Sequence, residues 1–227
     1  MNWDDTFFKS DLFLLCNNIS TYSMLLPFIV GFLMFKKSHI TMRYFFGIIS
    51  FFLLIEIVMN ILAYLHQYNL WLSNIVYLLQ LLLLFCFFYI NTLNRIYKKM
   101  LVFFGILFTV IWSTLIFHFG LNNLEPYSLT IGSVFTLLAC GYNMIELVTN
   151  DEPNLFRSSY FIISLMYFLY SAVVGVTSIF LTNTIEFILN NPLLWNIRMM
   201  IHNTVNLFLN VGLAYSFLCK VSKPKPL

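Results

Sequence analysis

The stretch ISFFLLIEIVMNILAYL, residues 49–65, is apolar on nearly every side and contains a single carboxylate, Glu56. A transmembrane β-strand alternates apolar and polar residues over about ten positions, and this run is too long and too continuous for that pattern. A helix needs about 20 predominantly apolar residues to span the hydrocarbon core of a membrane. The stretch therefore predicts a membrane-spanning α-helix.

Comparable apolar runs recur along the whole chain. Of the 227 residues, 60% are hydrophobic and only 9% are charged, and the mean hydropathy is +0.85, which is well above the range of soluble domains. The connections between the runs are too short to form a separate water-soluble domain. We therefore expect residues 1–227 to form one all-α, polytopic membrane domain, a bundle of seven transmembrane helices. The seven predicted helices cover residues 12–35, 44–65, 74–93, 101–119, 127–148, 160–182 and 195–219.

The distribution of basic residues predicts the orientation of the bundle. Short, positively charged connections stay in the cytoplasm, so we expect the N-terminus outside and the C-terminus in the cytoplasm. The leader carries Asp4, Asp5 and Asp11 rather than the basic start of a cleaved signal peptide, and the first helix is expected to be retained. Of the twelve Lys and Arg residues, ten lie in the first, third and fifth connections and the C-terminal tail, namely Lys36, Lys37, Arg43, Arg95, Lys98, Lys99, Arg157, Lys220, Lys223 and Lys225.

Charge and cysteine usage restrict the partners of the chain. The formal net charge of +3 comes from these basic connections, which suit an anionic inner leaflet, so lipid is the expected partner and nucleic acid is not. The four cysteines fall within or at the ends of predicted helices and form no CxxC pair, so no disulfide or metal framework is implied. We expect a multi-pass protein of a bacterial plasma (inner) membrane.

Polar side chains are concentrated on one face of the seventh predicted helix. In WNIRMMIHNTVNLFLN, residues 195–210, the residues Arg198, His202, Asn206 and Asn210 repeat every four positions and so share one side of a helix. Polar groups without a partner in lipid cost several kcal/mol. This stripe should therefore face other helices or a water-filled cavity.

A second stripe lies at a matching depth. A rise of about 1.5 Å per residue puts Glu56 near the middle of the membrane, roughly level with His202 and with Gln80 of the third helix. An intramembrane carboxylate is costly enough to indicate function, and we expect Glu56 to pair with His202 or Arg198. The sequence thus predicts a polar cavity and candidate ligand-binding site formed by Glu56, Asn60, Gln80, Arg198, His202 and Asn206.

Several polar and small residues have a structural interpretation as well. Asparagines often hold membrane helices together through hydrogen bonds, and Arg198 can extend to the headgroups from its place near the outer end. Pro27 predicts a kink in the first helix, and Glu146 is expected to be solvated or paired with a basic connection. Small residues along one side of the fifth and sixth helices predict close helix packing: Gly132, Thr136, Cys140, Ser164, Ser171, Gly175 and Ser178.

Known seven-helix classes can be tested through their motifs. The last helix lacks the lysine of a retinal Schiff base, and the D-R-Y-like and N-P-x-x-Y motifs of G-protein-coupled receptors are missing. A membrane metal hydrolase needs several histidines and an acid around zinc. His66, His118 and His202 all fall toward the outer side, but Arg198 occupies the place four before His202 where a second histidine is expected. No repeat typical of small carriers relates helices one to three to helices five to seven.

Residues 25–37, 70–108 and 193–217 resemble an uncharacterised family of stand-alone bacterial membrane proteins of about this length, roughly 230 residues. In that family the third helix carries an Asn, a Tyr and an acid about one turn apart, and the seventh carries a Trp followed by H-x-x-x-N. The resemblance implies no biochemical activity, and Gln80 stands here in place of the acid. The matching residues are Asn74, Tyr77, Trp195, His202 and Asn206.

The expected function follows from the polar cavity. The sequence indicates no catalytic residue, metal or cofactor, which favours a non-enzymatic protein. We expect a receptor-like or accessory module that senses a small ligand or lipid and signals through, or assembles with, a partner protein. A small-solute or proton-coupled transporter with Glu56 as the coupling site is the main alternative, and an intramembrane metal-dependent hydrolase is a third.

Overall fold

Seven α-helices build the part of the chain that the structure describes. This computed structural model describes residues 18–67, 69–122, 126–149, 154–189 and 192–221, with the side chains of residues 126 and 180–196 excepted. A short 3-10 turn, Leu155–Arg157, precedes the sixth helix. The helices are α1 (Leu25–Met34), α2 (Ile40–Tyr64), α3 (Leu70–Asn91), α4 (Arg95–Phe119), α5 (Pro126–Thr149), α6 (Ser159–Leu189) and α7 (Pro192–Ser216).

The helices have the length and composition of a multi-pass membrane protein. A shorter apolar helical segment, Asn18–Met34, contains α1. Large apolar side chains such as Leu33 and Phe103 point outward, as expected of a surface that contacts lipid rather than water. Five segments are long and apolar enough to cross a membrane: Ile40–Tyr64, Leu70–Asn91, Arg95–Phe119, Tyr127–Thr149 and Ser159–Ile179.

Three helices begin four to six residues before their predicted starts at 44, 74 and 101. Hydropathy marks only the apolar part of a helix, whereas polar caps extend the helix into the interface. At the start of α4, the Asn94 side chain accepts hydrogen bonds from the amides of Ile96 and Tyr97 at 2.9 and 3.3 Å. His39 has the corresponding place before α2, where its ring nitrogen accepts from the amide of Thr41 at 3.4 Å. Predicted residues 12–17 lie outside the described residues.

Pro27 interrupts the first helix, as the sequence predicts. Proline has no amide hydrogen to donate to the carbonyl four residues earlier, which is that of Ser23. That carbonyl accepts instead from the amide of Leu26 at 3.0 Å. The hydroxyl of Ser23 donates back to the carbonyl of Ser20 at 2.6 Å. Just before α1, the side chains of Ser20 and Ser23 are therefore buried within the bundle.

Two of the predicted small residues, Ser164 and Gly175, lie where α5 and α6 pack against each other, whereas Gly132 faces α3. A Cβ atom at Gly175 would stand only 3.1 Å from the Cβ of Ser133, so the two backbones approach closely there. Asn143 donates to the hydroxyl of Ser164 across this interface at 2.6 Å. Close approach and an interhelical hydrogen bond are the usual means of joining helices in lipid.

The first, third and fifth connections meet the segment after α7 at one end of the bundle. Tyr160 follows the fifth connection, and its hydroxyl donates to Asn91 at the end of α3 at 2.9 Å and also reaches Thr41 at the start of α2. The amide of Lys220 donates to the carbonyl of Arg157 at 2.8 Å. At the opposite end, Asn74 of α3 donates to the carbonyl of Leu121 at 2.8 Å. We call the first of these the basic end, because it carries most of the Lys and Arg residues.

Glu146 lies buried near the basic end, and the expectation of a solvated or ion-paired carboxylate is wrong. The residue is 7% exposed, and its two carboxylate oxygens accept from the hydroxyl of Thr92 at 3.0 and 3.1 Å. Thr92 follows the last turn of α3, so the crossing of α3 and α5 covers both groups. Sequence reasoning missed this contact because residues 54 positions apart have no local signal.

Thr92→Val should destabilise the protein by about 1–3 kcal/mol, because the substitution leaves a buried carboxylate without its hydroxyl donor. Thermal unfolding of the purified protein in detergent measures the change. Thr114→Val is the matched control, since the Thr114 hydroxyl is exposed and bonds only within its own helix, to the carbonyl of Val110. Equal unfolding temperatures for the two variants would contradict this account of Glu146.

Candidate functional site: a polar cavity within the bundle

A cavity of ≈ 550 Å³ lies among α1, α2, α3, α6 and α7, with Leu129 of α5 at its edge. It brings together residues that are far apart in sequence. Four of the six residues predicted from the sequence line it: Glu56, Gln80, His202 and Asn206. Further polar lining comes from Ser20, Thr21, Ser73, Tyr77, Tyr167, Tyr170, Asn203 and Asn210.

Asn60 is exposed and takes no part in lining the cavity. The lining positions of α2 are Ile49, Phe52, Glu56 and Met59, a three-four-three spacing that follows one side of a helix. A further step of four residues from Glu56 turns the position by about 40°. Met59 therefore takes the place that a strict four-residue repeat gives to Asn60.

Arg198 stands beside the cavity rather than in its lining. Its charge acts on Tyr170 and on His202. The ring of Tyr170 also packs edge-on against the imidazole of His202, with 6.0 Å between the ring centroids. Tyr170 thereby connects the two basic residues of α7 to the interior of the bundle.

Glu56 faces the cavity from α2. Its carboxylate has no hydrogen-bond or ion-pair partner among the side chains that the structure describes, so the expected pairing with His202 or Arg198 is not formed there. Tyr170 is the residue that the charges of both Glu56 and Arg198 influence. The acid and the two bases thus belong to one neighbourhood, with a tyrosine as their common neighbour.

The asparagines of α7 bind the start of the first helix. Asn210 donates to the hydroxyl of Ser23 at 2.7 Å, and Asn206 donates to the hydroxyl of Ser20 at 3.3 Å. These bonds join two chain segments that lie almost at opposite ends of the sequence. Asn206 and Asn210 therefore hold helices together, which is the structural interpretation that the sequence offered for them. Asn206 also lines the cavity.

Aromatic residues form a large part of the cavity wall. Tyr167 and Tyr170 come from α6, Tyr77 from α3 and Phe52 from α2. Tyr77 donates to the carbonyl of Leu129 at 3.1 Å, and the hydroxyl of Tyr167 is hydrogen-bonded to Gln80. Each tyrosine that borders the polar residues is thus fixed by a specific contact.

Sequence reasoning missed Tyr167 and Tyr170. Together with Ser164, Ser171 and Val174 they continue the three-four spacing of the small residues on α6, so that spacing contained the signal. The two tyrosines did not stand out, because aromatic residues make up 19% of the chain and tyrosines are common in its helices.

The cavity is closed toward the basic end. Its deepest lining residues are Ile49 and Leu213, and the rings of Phe45, Phe87 and Phe217 lie next along the same helices. Phe45 is fully buried, and its ring centroid lies 4.8 Å from that of Phe87 and 6.0 Å from that of Phe217. In the other direction the lining reaches Ser73 and Leu129, each within a turn of the start of its helix.

Metal-ligating residues are dispersed in the part of the chain that the structure describes. No three His, Cys, Asp or Glu side chains come together there. His66 and His118 are exposed, whereas His202 lines the cavity. The three histidines that suggested a zinc site therefore have different surroundings.

No protein-family model, curated protein or solved structure matches the chain. The resemblance to a bacterial family stays a prediction, and fold-level likeness would in any case not specify activity. Fold and site together define the class of the protein, which is an all-helical, multi-pass membrane protein with a polar cavity inside its bundle.

Gly132→Ala should destabilise the protein by about 1–3 kcal/mol through overpacking. A Cβ atom at this position would overlap the hydroxyl of Tyr77 and lie 3.0 Å from a methyl group of Leu81. Thermal unfolding in detergent measures the loss. Gly47→Ala is the matched control, since a Cβ there meets nothing within 4 Å and alanine favours a helix by about 1 kcal/mol. A Gly132→Ala protein as stable as Gly47→Ala would show that Tyr77 is not held where the structure has it.

Proposed function

We propose that this protein is a receptor-like or accessory module of a membrane, which binds a small ligand in its intramembrane cavity and transmits the bound state to a partner protein. The observation that carries the proposal is the combination of a polar, aromatic-lined cavity with a packed aromatic closure beneath it. Pockets of about 300–1,000 Å³ that are mostly apolar with a few convergent polar groups are typical of small-molecule sites. The cavity described above fits both criteria.

The proposed topology has seven membrane crossings, with the N-terminus outside and the C-terminus in the cytoplasm. Support comes from the contacts that bring the first, third and fifth connections to the same end as the segment after α7. That end carries the basic residues, which favour the cytoplasmic side of a membrane. In this orientation the cavity belongs to the outer half of the bundle, and the membrane is a bacterial inner membrane.

A route from the cavity to the cytoplasm runs along α7. His202 and Asn206 border the cavity, and two to three turns further on the same helix Ser216 accepts from the hydroxyl of Ser159 at 2.8 Å. The hydroxyl of Tyr215 also bonds to the carbonyl of Phe156 at 3.3 Å. A ligand that favours one position of α7 would therefore change the surface formed by the fifth connection and the tail. Binding can shift such an equilibrium only through different affinities for the two positions.

The closure at Phe45, Phe87 and Phe217 favours a receptor over a transporter. A transporter needs alternating access to its site from both sides, and in the described conformation packed aromatic rings lie between the cavity and the basic end. Glu56 is nevertheless the residue that a proton-coupled transporter would use. The two functions differ in whether the bound molecule crosses the membrane.

Val76→Trp should abolish binding of small molecules, because Val76 lines the cavity and an indole side chain would fill much of it. The measurement is the change in unfolding temperature that a panel of small polar compounds causes in lipid nanodiscs. Val148→Trp is the matched control, since Val148 is 53% exposed on the outer surface of α5. Compounds that stabilise the wild type and Val148→Trp but not Val76→Trp are the expected result. Undiminished binding to Val76→Trp would exclude the cavity as the site.

A transport assay in reconstituted vesicles distinguishes a receptor function from a transporter function. A compound identified by its cavity-dependent binding should not accumulate in proteoliposomes, with or without a proton gradient. Accumulation that Glu56→Gln abolishes would reject the receptor function and establish the transporter.

Reporter fusions test the topology. A fluorescent protein fused after Leu227 should fluoresce, because the fusion folds in the cytoplasm, and alkaline phosphatase inserted at Gly120 should be active outside. The reverse pattern would invert the orientation proposed for the cavity.

A further inference from the structure

The carboxylate of Glu56 lies in surroundings that leave its charge uncompensated. The residue lies one turn past the centre of α2 (Ile40–Tyr64) and borders the cavity. Among the described side chains, none is bonded to it or forms an ion pair with it. An ionised carboxylate at this depth is unfavourable unless a positive charge accompanies it.

Neither of the basic residues nearby is paired with Glu56 in the part of the chain that the structure describes. Arg198 acts on Tyr170 and lies outside the cavity lining. The imidazole of His202 packs edge-on against the ring of Tyr170 at 6.0 Å between centroids. A positive charge that accompanies the ionised form of Glu56 would therefore come from a molecule inside the cavity.

The rings around Glu56 suit such a molecule. Phe52 lies one helical turn before Glu56, and Tyr77, Tyr167 and Tyr170 complete an aromatic wall on α3 and α6. The faces of aromatic rings attract cations, most strongly where water is excluded, and aromatic cages are a recurrent means of binding ammonium groups. A carboxylate combined with several rings therefore selects an organic cation over a neutral or anionic compound.

We propose that the cavity binds a small organic monocation, with its ammonium group against Glu56 and the surrounding rings. This inference rests on the ligand-binding function proposed above and names the ligand class. The amide of Gln80 and the imidazole of His202 line the same cavity and provide hydrogen-bonding groups for a neutral polar end. The positive charge of Arg198 beyond Tyr170 disfavours a second ammonium group, so monoamines bind better than diamines of the same length.

The test compares n-butylammonium and tetramethylammonium with n-butanol, which has nearly the same size as the first probe and no charge. The measurement is the unfolding temperature of the full-length protein in lipid nanodiscs at neutral pH as a function of probe concentration. Both ammonium compounds should stabilise the wild type in a saturable manner, and n-butanol should not. Glu56→Gln should weaken their apparent affinity by at least about thirtyfold, since a buried ion pair is lost.

Glu146→Gln is the matched control, because Glu146 is another glutamate within a helix of the described chain and lies on α5 outside the cavity lining. Its response to the ammonium compounds should equal that of the wild type. Glu56→Asp keeps the charge and should retain binding, which separates loss of charge from loss of fold if Glu56→Gln is poorly produced.

Three outcomes would overturn the ligand class. These are equal effects of n-butylammonium and n-butanol on the wild type, an undiminished ammonium response in Glu56→Gln, and stabilisation of the wild type only by neutral or anionic compounds whose binding Val76→Trp abolishes. Each of these three outcomes is compatible with the proposed function, which requires only that the cavity binds a small ligand. If no compound of any charge stabilises the wild type, the proposed function itself fails.

Discussion

The hydrocarbon core of a membrane contains no water, so every polar group that enters it needs a partner within the protein or a cavity of its own. This constraint accounts for the all-helical fold, because a helix satisfies its own backbone. It also accounts for where the polar side chains are found. Asn210 and Ser23, Asn143 and Ser164, and the pair of Thr92 with Glu146 each satisfy one another inside the bundle. A further group of polar residues, among them Glu56, Gln80 and His202, lines one cavity.

Polar side chains thus have two different roles in this molecule: some join helices, and others line the cavity. Hydrogen bonds between neutral side chains join helices, and each contributes about 0.6 kcal/mol on average, so many are needed for a stable bundle. Glu56 is different because its charge is not compensated by any described side chain. A group that is costly in the unliganded protein makes binding more favourable for a ligand that neutralises it. The same residue that weakens the bundle can therefore give the cavity its selectivity.

The extent to which the sequence predicted this arrangement depended on the type of signal. Apolar length and the period of 3.6 residues predicted the helices and placed Glu56, Gln80 and His202 at one level, since depth along a helix is a matter of counting. The side of each helix that faces the cavity was harder to predict. Asn60 turns away because four-residue steps drift around a helix, while contacts such as Thr92 with Glu146 depend on how helices pack, which no local pattern records.

Accessibility of position 56 tests the central claim that Glu56 faces a cavity that aromatic rings close toward the basic end. Glu56→Cys is placed in a protein whose four native cysteines are replaced by serine, and a membrane-impermeant thiol reagent is added to either side of sealed vesicles. We expect modification from the outer side alone, and none of Leu54→Cys, whose side chain is exposed on the lipid-facing surface. Modification of position 56 from the cytoplasmic side, or from neither side, would contradict the account.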